Sequence, residues 1–421
     1  MSYNFYTYKE IRQQPRVWKE AYDIVLSQKS KIQAYVHKYL DLGYKVVLTG
    51  AGTSAYIGDA LAPALHGTIF RDAAAIATTD IITSPELWFD CGSKVLLVSF
   101  ARSGNSPESI GAVRAVEKTA GQTAHIFITC NASGELALMK GDNILTILLP
   151  PETNDLSLAM TSSYSTMFIA CALVAHIDNI ESQKVFIDAI SDSVARAMDR
   201  YEKDIKAIAT LDFKRAIFLG SGTLKGVAEE SRLKLQELTD GRIMCGFDSF
   251  LGFRHGPKAI VNSESLLIYL LSPIERVQRY ERDLIKQIEL RNGIKGSIIV
   301  CRQAGDASFA SPTLTVETGL PEGVQIGGAL GLIVLHEVAH HLVHAHIEAV
   351  VYAEGSVPLV VGLLNPVLIQ SIPALTVGPC EHKPGRHVLQ VFLLPHADDI
   401  FVIGVSLFVL FKHAASSFHS P

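Results

Sequence analysis

The sequence predicts an α/β protein that contains two copies of one doubly wound, parallel-sheet unit. Buried, β-branched runs such as residues 45–50 alternate with helical patterns, which is the arrangement of parallel strands covered by helices. The same alternation starts again after about residue 208. Segments 48–61 and 218–231 align at two glycines and one threonine, with an offset of 170 residues. This internal similarity indicates a duplicated domain.

Each element follows from hydrophobic spacing. Residues 8–40 are predicted to be helical, with a break at Pro15. The first unit has predicted strands at 45–50, 94–100, 125–130 and 143–150, with helices at 54–65 and 107–120. A helical stretch at about 161–208 leads to the second unit. That unit has predicted strands at 215–220, 265–272, 297–302 and 313–317, with helices at 224–238 and 274–291.

The composition excludes several classes of protein. The 421 residues carry a formal net charge of −5 and give a pI of about 6.3, without the basic face of a nucleic-acid binder. The six cysteines form no CxxC motif, so we expect reduced thiols in the cytoplasm. The N-terminus lacks the apolar region of a signal peptide. Four prolines interrupt the longest uncharged run, 355–380, which argues against a membrane span.

A glycine-rich turn follows the first predicted strand, at residues 50–54. Its backbone amides and the start of the next helix favour an anion, and the candidate ligands are Gly52, Thr53 and Ser54. A P-loop is excluded because no Gly-Lys-Ser/Thr follows. A dinucleotide site fits poorly because Ala55 replaces the third glycine. A tight turn with a helix cap remains the alternative.

Two further loops are rich in small polar side chains. Ser103, Asn105 and Ser106 follow the strand at 94–100, at the sheet edge where α/β proteins bind ligands. A hydroxyl cluster, Thr161, Ser162 and Ser163, opens a later helix and by itself could be a simple cap. With the glycine-rich turn, these loops predict a phosphate or sugar held by hydroxyls and amides.

Two groups are candidates for proton transfer. Glu230 lies on the helix after the second glycine-rich turn and is four residues before Lys234. The pair is either a solvated surface contact or part of a general-base site. His255 precedes Gly-Pro in a loop, where it is either an exposed side chain or a proton donor.

The motifs together resemble tandem sugar isomerase (SIS) domains. Within them, the chain is most similar to the galactosamine-6-phosphate deaminase/isomerases, also called tagatose-6-phosphate ketose/aldose isomerases. This similarity covers about residues 7–320. The chain also resembles, more distantly, the isomerase half of glucosamine-6-phosphate synthase. It rests on the segments EIRQQPRVW (10–18), VLTGAGTSAYIGD (47–59), SFARSGNSPES (99–109), AMTSSYSTM (159–167), LGSGTLKGVAEESRLKLQELT (219–239) and FRHGPK (253–258).

The resemblance implies a domain order and a reaction. A helical segment at 1–43 precedes a first SIS domain at 44–205 and a second at 206–320, each a parallel sheet between helices. The implied enzyme converts galactosamine 6-phosphate to tagatose 6-phosphate and ammonia, without metal or cofactor, as a homo-oligomer. Ser54, Ser103, Asn105, Ser106 and Ser162 are the implied sugar-phosphate ligands. Glu230 is the implied enolisation base and His255 its partner in ring opening or amine protonation.

Three alternatives remain open. The fold could serve a non-catalytic phosphosugar sensor, or another hexosamine or hexose 6-phosphate isomerase.

The apolar tail at 321–421 departs from the family and holds ten of the fifteen histidines. It is a divergent terminus, a fused segment or an out-of-frame translation, and reading the coding DNA in all frames would decide. His336 and His340 in this tail have the spacing of a zinc hydrolase motif, which is the third alternative.

Overall fold

The computed structural model of the protein describes residues 6–291 and 293–319. The predicted tail at 321–421, with His336 and His340, lies outside these residues. The described chain forms two five-stranded parallel sheets flanked by helices. This confirms the predicted fold class, two tandem α/β units. The exact domain boundaries stay predictions.

The two sheets have the same topology. In the first sheet the strand order is β2-β1-β3-β4-β5. Its strands are β1 (Lys45–Thr49), β2 (Ala74–Ala75), β3 (Lys94–Ala101), β4 (Gln122–Thr129) and β5 (Ile144–Leu148). In the second sheet the order is β7-β6-β8-β9-β10. Its strands are β6 (Arg215–Gly220), β7 (Met244–Asp248), β8 (Ser265–Leu270), β9 (Gly296–Cys301) and β10 (Leu314–Glu317). The matching order supports the duplication.

Helices cover the sheets. The first unit and the segment before it contain α1 (Tyr6–Ser27), α2 (Lys29–Asp41), α3 (Thr53–Ala64), α4 (Thr78–Thr83), α5 (Pro107–Thr119) and α6 (Glu135–Leu138). The remaining described helices are α7 (Ser162–Ala175), α8 (Ile180–Ala209), α9 (Thr223–Leu238), α10 (Phe250–Phe253) and α11 (Glu275–Arg291). Among the helices of the described residues, none is both long and apolar enough to cross a membrane.

The two short strands β2 and β7 are absent from the sequence prediction. β2 has only two residues, and β7 contains Gly246 but no β-branched residue. Neither has the hydrophobic run by which the central strands are recognised. Both depend on pairing with the strand beside them, β1 and β6. Edge strands of this kind are formed by tertiary contact and not by local preference.

The predicted break at Pro15 is wrong, because α1 runs through it without interruption. Proline removes one helical N–H donor, a cost that burial of the surrounding turns can offset. Ile11, Val17 and Trp18 on this helix are buried. The Trp18 indole Nε1 also donates to the Ser165 hydroxyl on α7 at 2.9 Å. Packing therefore keeps the helix continuous.

The apolar residues form three clusters that follow the layers of the fold. The largest joins one face of each sheet with α1, α7, α8, α3 and α9. The other face of the first sheet packs against α4 and α5, and that of the second sheet against α10 and α11. Since the largest cluster includes strands of both sheets, the two units share one hydrophobic core.

The helices α3 and α9 cross at very short range at Gly226. A Cβ atom added to Gly226 would lie 2.6 Å from the backbone N and Cα atoms of Ala60. No side chain fits between these backbones, so glycine is required for this contact between the units.

Replacing Gly226 by Ala is therefore expected to lower the free energy of unfolding by about 1–3 kcal/mol through overpacking. Urea denaturation of the purified protein measures this. Gly305→Ala is the matched control, because a Cβ at Gly305 meets open space. Equal unfolding midpoints for the two variants would show that the helices separate easily at this crossing.

Candidate functional site

The first loop, Gly50–Ser54, joins β1 to α3. Gly50 lies so close to Ser54 that an added Cβ would be 2.5 Å from the Ser54 carbonyl carbon. Gly52 has a positive φ of 54°, which favours glycine. Ser54 is buried, and its hydroxyl contacts the sulfur of Met160 at 3.9 Å. This contact brings the first loop beside the segment that leads into α7.

The second loop, residues 102–106, joins β3 to α5. The Ser106 hydroxyl caps α5 by accepting from the Ser109 backbone N–H at 3.2 Å. Asn105 accepts from the backbone N–H of Glu135 through Oδ1, and the Ser103 hydroxyl accepts from Asn105 N–H at 3.3 Å. These bonds order the loop at the carboxyl end of the sheet.

The third loop precedes α7 and is organised by Asp155, a residue absent from the sequence prediction. This carboxylate accepts from the backbone N–H groups of Thr161 and Ser163, both at 2.8 Å. It also accepts from the hydroxyls of Ser162 and Ser163. Asp155 therefore caps the helix in this structure, and the predicted role of the hydroxyl cluster as a phosphate ligand stays a prediction.

The N-terminal helix holds the turn between Asp155 and α7. The Glu10 carboxylate accepts from the backbone N–H groups of Leu156 and Ser157 at 2.6 and 3.1 Å. Burial raises the pKa of Glu10, and the nearby Asp155 carboxylate raises it further. Arg102, from the second loop, donates to the Ser157 carbonyl at 3.0 Å. All three loops are thus brought together around this turn.

A buried cation joins the two units beside the first loop. Lys234, on α9, donates from Nζ to the Thr53 hydroxyl at 2.9 Å. The same ammonium lies 3.3 Å from Glu230 Oε1 and 2.7 Å from Glu237 Oε2. Of the two interpretations of Glu230 and Lys234, the solvated surface contact is excluded, since the two side chains are 0% and 1% exposed. We call Thr53, Glu230, Lys234 and Glu237 the lysine cluster.

The two carboxylates of the lysine cluster differ in access. Glu230 is completely buried, whereas the Glu237 side chain is 31% exposed. A general base must come within hydrogen-bond reach of the carbon-bound proton that it removes. In this structure solvent reaches the Glu237 side chain and does not reach that of Glu230. The spacing of 230, 234 and 237 on one helical face was the sequence signal that could have identified the cluster.

Glu229 is a further carboxylate on α9. Burial, together with the charge of Asp59 on α3, raises its pKa to about 7. His255 lies on the exposed loop after α10. The described residues, 6–291 and 293–319, provide its imidazole with no hydrogen-bond partner, and its predicted role stays a prediction.

The described residues contain no group of three His, Cys, Asp or Glu side chains that could hold a metal ion. Their five cysteines are free thiols.

Two parallel sheets with polar loops at their carboxyl ends define a doubly wound α/β protein with a candidate anion-binding edge. The SIS domain family matches residues 43–177. The D-galactosamine-6-phosphate deaminase AgaS of Escherichia coli O157:H7 is 36% identical over 312 residues, covering 73% of this chain and 80% of that protein. The AgaS protein of Shewanella sp. strain ANA-3 is 38% identical over 294 residues, covering 68% and 75%.

A solved structure agrees with these relatives. The tagatose-6-phosphate ketose/aldose isomerase of Escherichia coli superposes with a TM-score of 0.76 at 32% identity, covering 82% of this chain and 94% of that one. The chain belongs to the AgaS family of SIS-domain sugar-phosphate deaminases and isomerases.

Proposed function

We propose that this chain is an enzyme that converts galactosamine 6-phosphate and water to tagatose 6-phosphate and ammonia. The single observation that carries the chemistry is the lysine cluster, which places a carboxylate of one unit beside the glycine-rich loop of the other. The identity to AgaS proteins over 312 residues supports the choice of substrate. A phosphosugar sensor would need no such carboxylate.

The reaction needs one base that moves a proton between neighbouring carbons. In the open-chain amino sugar, the base removes the proton from C2, and the electrons of that bond form an enolamine. Return of the proton to C1 gives a C2 imine. Water then adds to the imine carbon, and the carbon–nitrogen bond breaks to release ammonia and leave the ketone. Hydroxyl and amide donors stabilise the charge that develops on oxygen.

Glu237 is the carboxylate that the geometry favours for this proton transfer, in place of the predicted Glu230. Its carboxylate is partly exposed and contacts the Lys234 ammonium. The same ammonium donates to the Thr53 hydroxyl of the first loop. The Lys234 ammonium fixes its orientation. Glu230 then serves chiefly to hold Lys234 from the buried side.

The polar loops are proposed to bind the sugar phosphate. Gly52, Thr53 and Ser54 provide donors at the start of α3, and Ser103, Asn105 and Ser106 provide them at the start of α5. The hydroxyl cluster Thr161, Ser162 and Ser163 follows Met160, whose sulfur contacts the Ser54 hydroxyl of the first loop. Binding energy from the remote phosphate then holds the reacting carbons in position.

The double variant Ser103→Ala/Ser106→Ala is expected to weaken binding of tagatose 6-phosphate. Each lost hydrogen bond to a charged oxygen costs about 1.5–3 kcal/mol. Isothermal titration measures the loss, and Ser109→Ala is the control because it removes only the hydroxyl that contacts Ser106. An unchanged Kd in the double variant would place the phosphate elsewhere.

The substrate itself is tested with a panel of hexosamine and ketose 6-phosphates, assayed for ammonia release and for isomerisation. Fastest ammonia release from galactosamine 6-phosphate is the expected result. Isomerisation without ammonia would instead favour a plain hexose 6-phosphate isomerase.

Four further features of the enzyme are proposed: three come from the family resemblance, and the location comes from the cysteines, which form no CxxC motif. His255 assists ring opening or protonates the leaving amine. The enzyme acts in the cytoplasm without metal or cofactor, and it forms a homo-oligomer. Light scattering of the purified protein tests the last point, and a monomeric mass would contradict it.

A further inference from the structure

The duplication gives the second unit its own copy of the place where the first unit is proposed to bind phosphate. The pairs Lys45–Val95 in β1 and β3 and Arg215–Ser265 in β6 and β8 occupy the same position in the two sheets. With this equivalence, the turn Gly220–Gly222 corresponds to Gly50–Gly52, and the residues after β8 correspond to those after β3.

The two copies differ in what lies at the carboxyl ends of the strands. After β3, the loop has Ser103, Gly104 and Asn105, and Ser103 and Asn105 are accessible. After β8, the carboxylate of Glu281, from the second turn of α11, lies against the equivalent loop. This carboxylate is 0% exposed, and its Oε2 accepts from the Ser272 backbone N–H at 3.0 Å.

The groups around Glu281 are those that bind an anion. Ser272 is the second residue after β8 and provides a backbone N–H. Ser221 lies in the second glycine-rich turn, and the Ser221 side chain interacts with the Glu281 carboxyl and lowers the pKa of Glu281. Burial nevertheless raises the pKa of Glu281 to about 7, as expected for a carboxyl in a dry place. An amide after a strand and a hydroxyl in a glycine-rich turn are typical phosphate ligands.

The rest of the loop is fixed around this carboxylate. Gln278 donates from Nε2 to the Ser272 carbonyl at 2.6 Å, and the Ser272 hydroxyl accepts from the Ile274 backbone N–H at 3.2 Å. The first turns of α11 therefore hold Ser272 with its N–H directed at Glu281. The loop does not need an external ligand to be ordered.

We propose that Glu281 fills a second anion site, in the place that corresponds to the phosphate site of the first unit. Its carboxylate takes the donors that a phosphate would take, so each chain binds one phosphosugar and not two. Removing the carboxylate opens a site for a small anion such as acetate or inorganic phosphate. The correspondence rests on the proposed function of the first unit, whereas the anion site itself rests on the contacts of Glu281.

The first experiment measures stoichiometry in the wild-type, full-length protein. Isothermal titration with tagatose 6-phosphate is expected to give one site per chain. Two sites per chain would overturn the proposal directly, without any variant.

The second experiment opens the site. Glu281→Ala is made in the Ser103→Ala/Ser106→Ala background, which silences the first unit, and melting is followed during titration with sodium acetate or sodium phosphate. We expect Tm to rise by about 1.5–2 °C when the anion is tenfold above its Kd. Sodium chloride at the same ionic strength should not reproduce this rise.

Glu281→Gln in the same background is the matched control, because the amide keeps the shape and one acceptor oxygen. It should show no acetate-dependent or phosphate-dependent rise in Tm. A folded Glu281→Ala variant whose Tm responds to these anions no more than Glu281→Gln would overturn the proposal. If Glu281→Ala folds only when acetate or phosphate is present, that dependence supports it; if it folds under no condition, the wild-type stoichiometry decides.

These results separate the two proposals. If the phosphosugar binds outside the loops of the first unit, the Ser103→Ala/Ser106→Ala protein still binds tagatose 6-phosphate normally. The anion response gained with Glu281→Ala is read from Tm and does not depend on that outcome.

Discussion

Replacing Glu237 with Gln is expected to lower kcat for galactosamine 6-phosphate by about 10²–10⁴-fold, the usual contribution of a positioned general base. The amide keeps the shape of the side chain and can still accept from Lys234, but it cannot take the C2 proton. Because Glu237 is partly exposed, its replacement should change the free energy of unfolding only slightly. Steady-state assays of ammonia release and thermal melting of the same sample measure both effects.

Proton exchange in heavy water identifies the step that is lost. The wild-type enzyme should replace the C2 proton of bound galactosamine 6-phosphate with deuterium, observed by NMR, and Glu237→Gln should not. Glu230→Gln is the matched control on the same helix. We expect it to retain exchange and to lose mainly stability, because Glu230 is buried. Loss of exchange in Glu230→Gln with full exchange in Glu237→Gln would restore Glu230 as the base.

Replacing Lys234 with Met is expected to lower the free energy of unfolding by about 3–5 kcal/mol, the usual cost of breaking a buried ion pair from one side. The change removes the ammonium 3.3 Å from Glu230 and the hydrogen bond to Thr53 that joins the two units. Urea denaturation measures the loss. Turnover should fall as well, since Glu237 loses the group that orients it.

A surface pair with the same spacing provides the control for Lys234. Lys184 and Asp188 also stand four residues apart on a helix, but both are largely exposed. Lys184→Met is therefore expected to change the free energy of unfolding very little, because solvent screens an exposed ion pair. The double variant Glu230→Gln/Lys234→Met should recover part of the stability lost in Lys234→Met, because neighbouring charges do not act additively. Equal losses in Lys184→Met and Lys234→Met would show that the lysine cluster is solvated.

Much of the fold could be predicted because it depends on local patterns. The central strands β3, β4, β6 and β8 are nearly continuous apolar runs, the signature of strands covered on both faces. The edge strands β2 and β7 lack such runs, and α1 continues through Pro15 only because its face is packed. In both cases a neighbour distant in sequence decides the local structure.

The same distinction applies to the candidate site. The polar loops could be predicted because a strand, a glycine-rich turn and a helix are consecutive in sequence, as at residues 45–64. The organising carboxylates Glu10 and Asp155 could not, since their partners are fixed by the path of the folded chain. A helix cap or a surface pair has the same sequence pattern as a binding or catalytic group.

The sequence by itself determined the duplication, the two parallel sheets, the order of the glycine-rich turns and the similarity to sugar-phosphate isomerases. These properties depend on periodicity and on motifs of a few residues. Only the tertiary structure decided that Glu230 is buried while Glu237 is accessible, that Lys234 reaches Thr53 of the other unit, and that Glu281 accepts from the Ser272 backbone N–H. The physical reason is that burial and charge pairing depend on which distant segments pack together. The spacing of residues along one helix does not determine that packing.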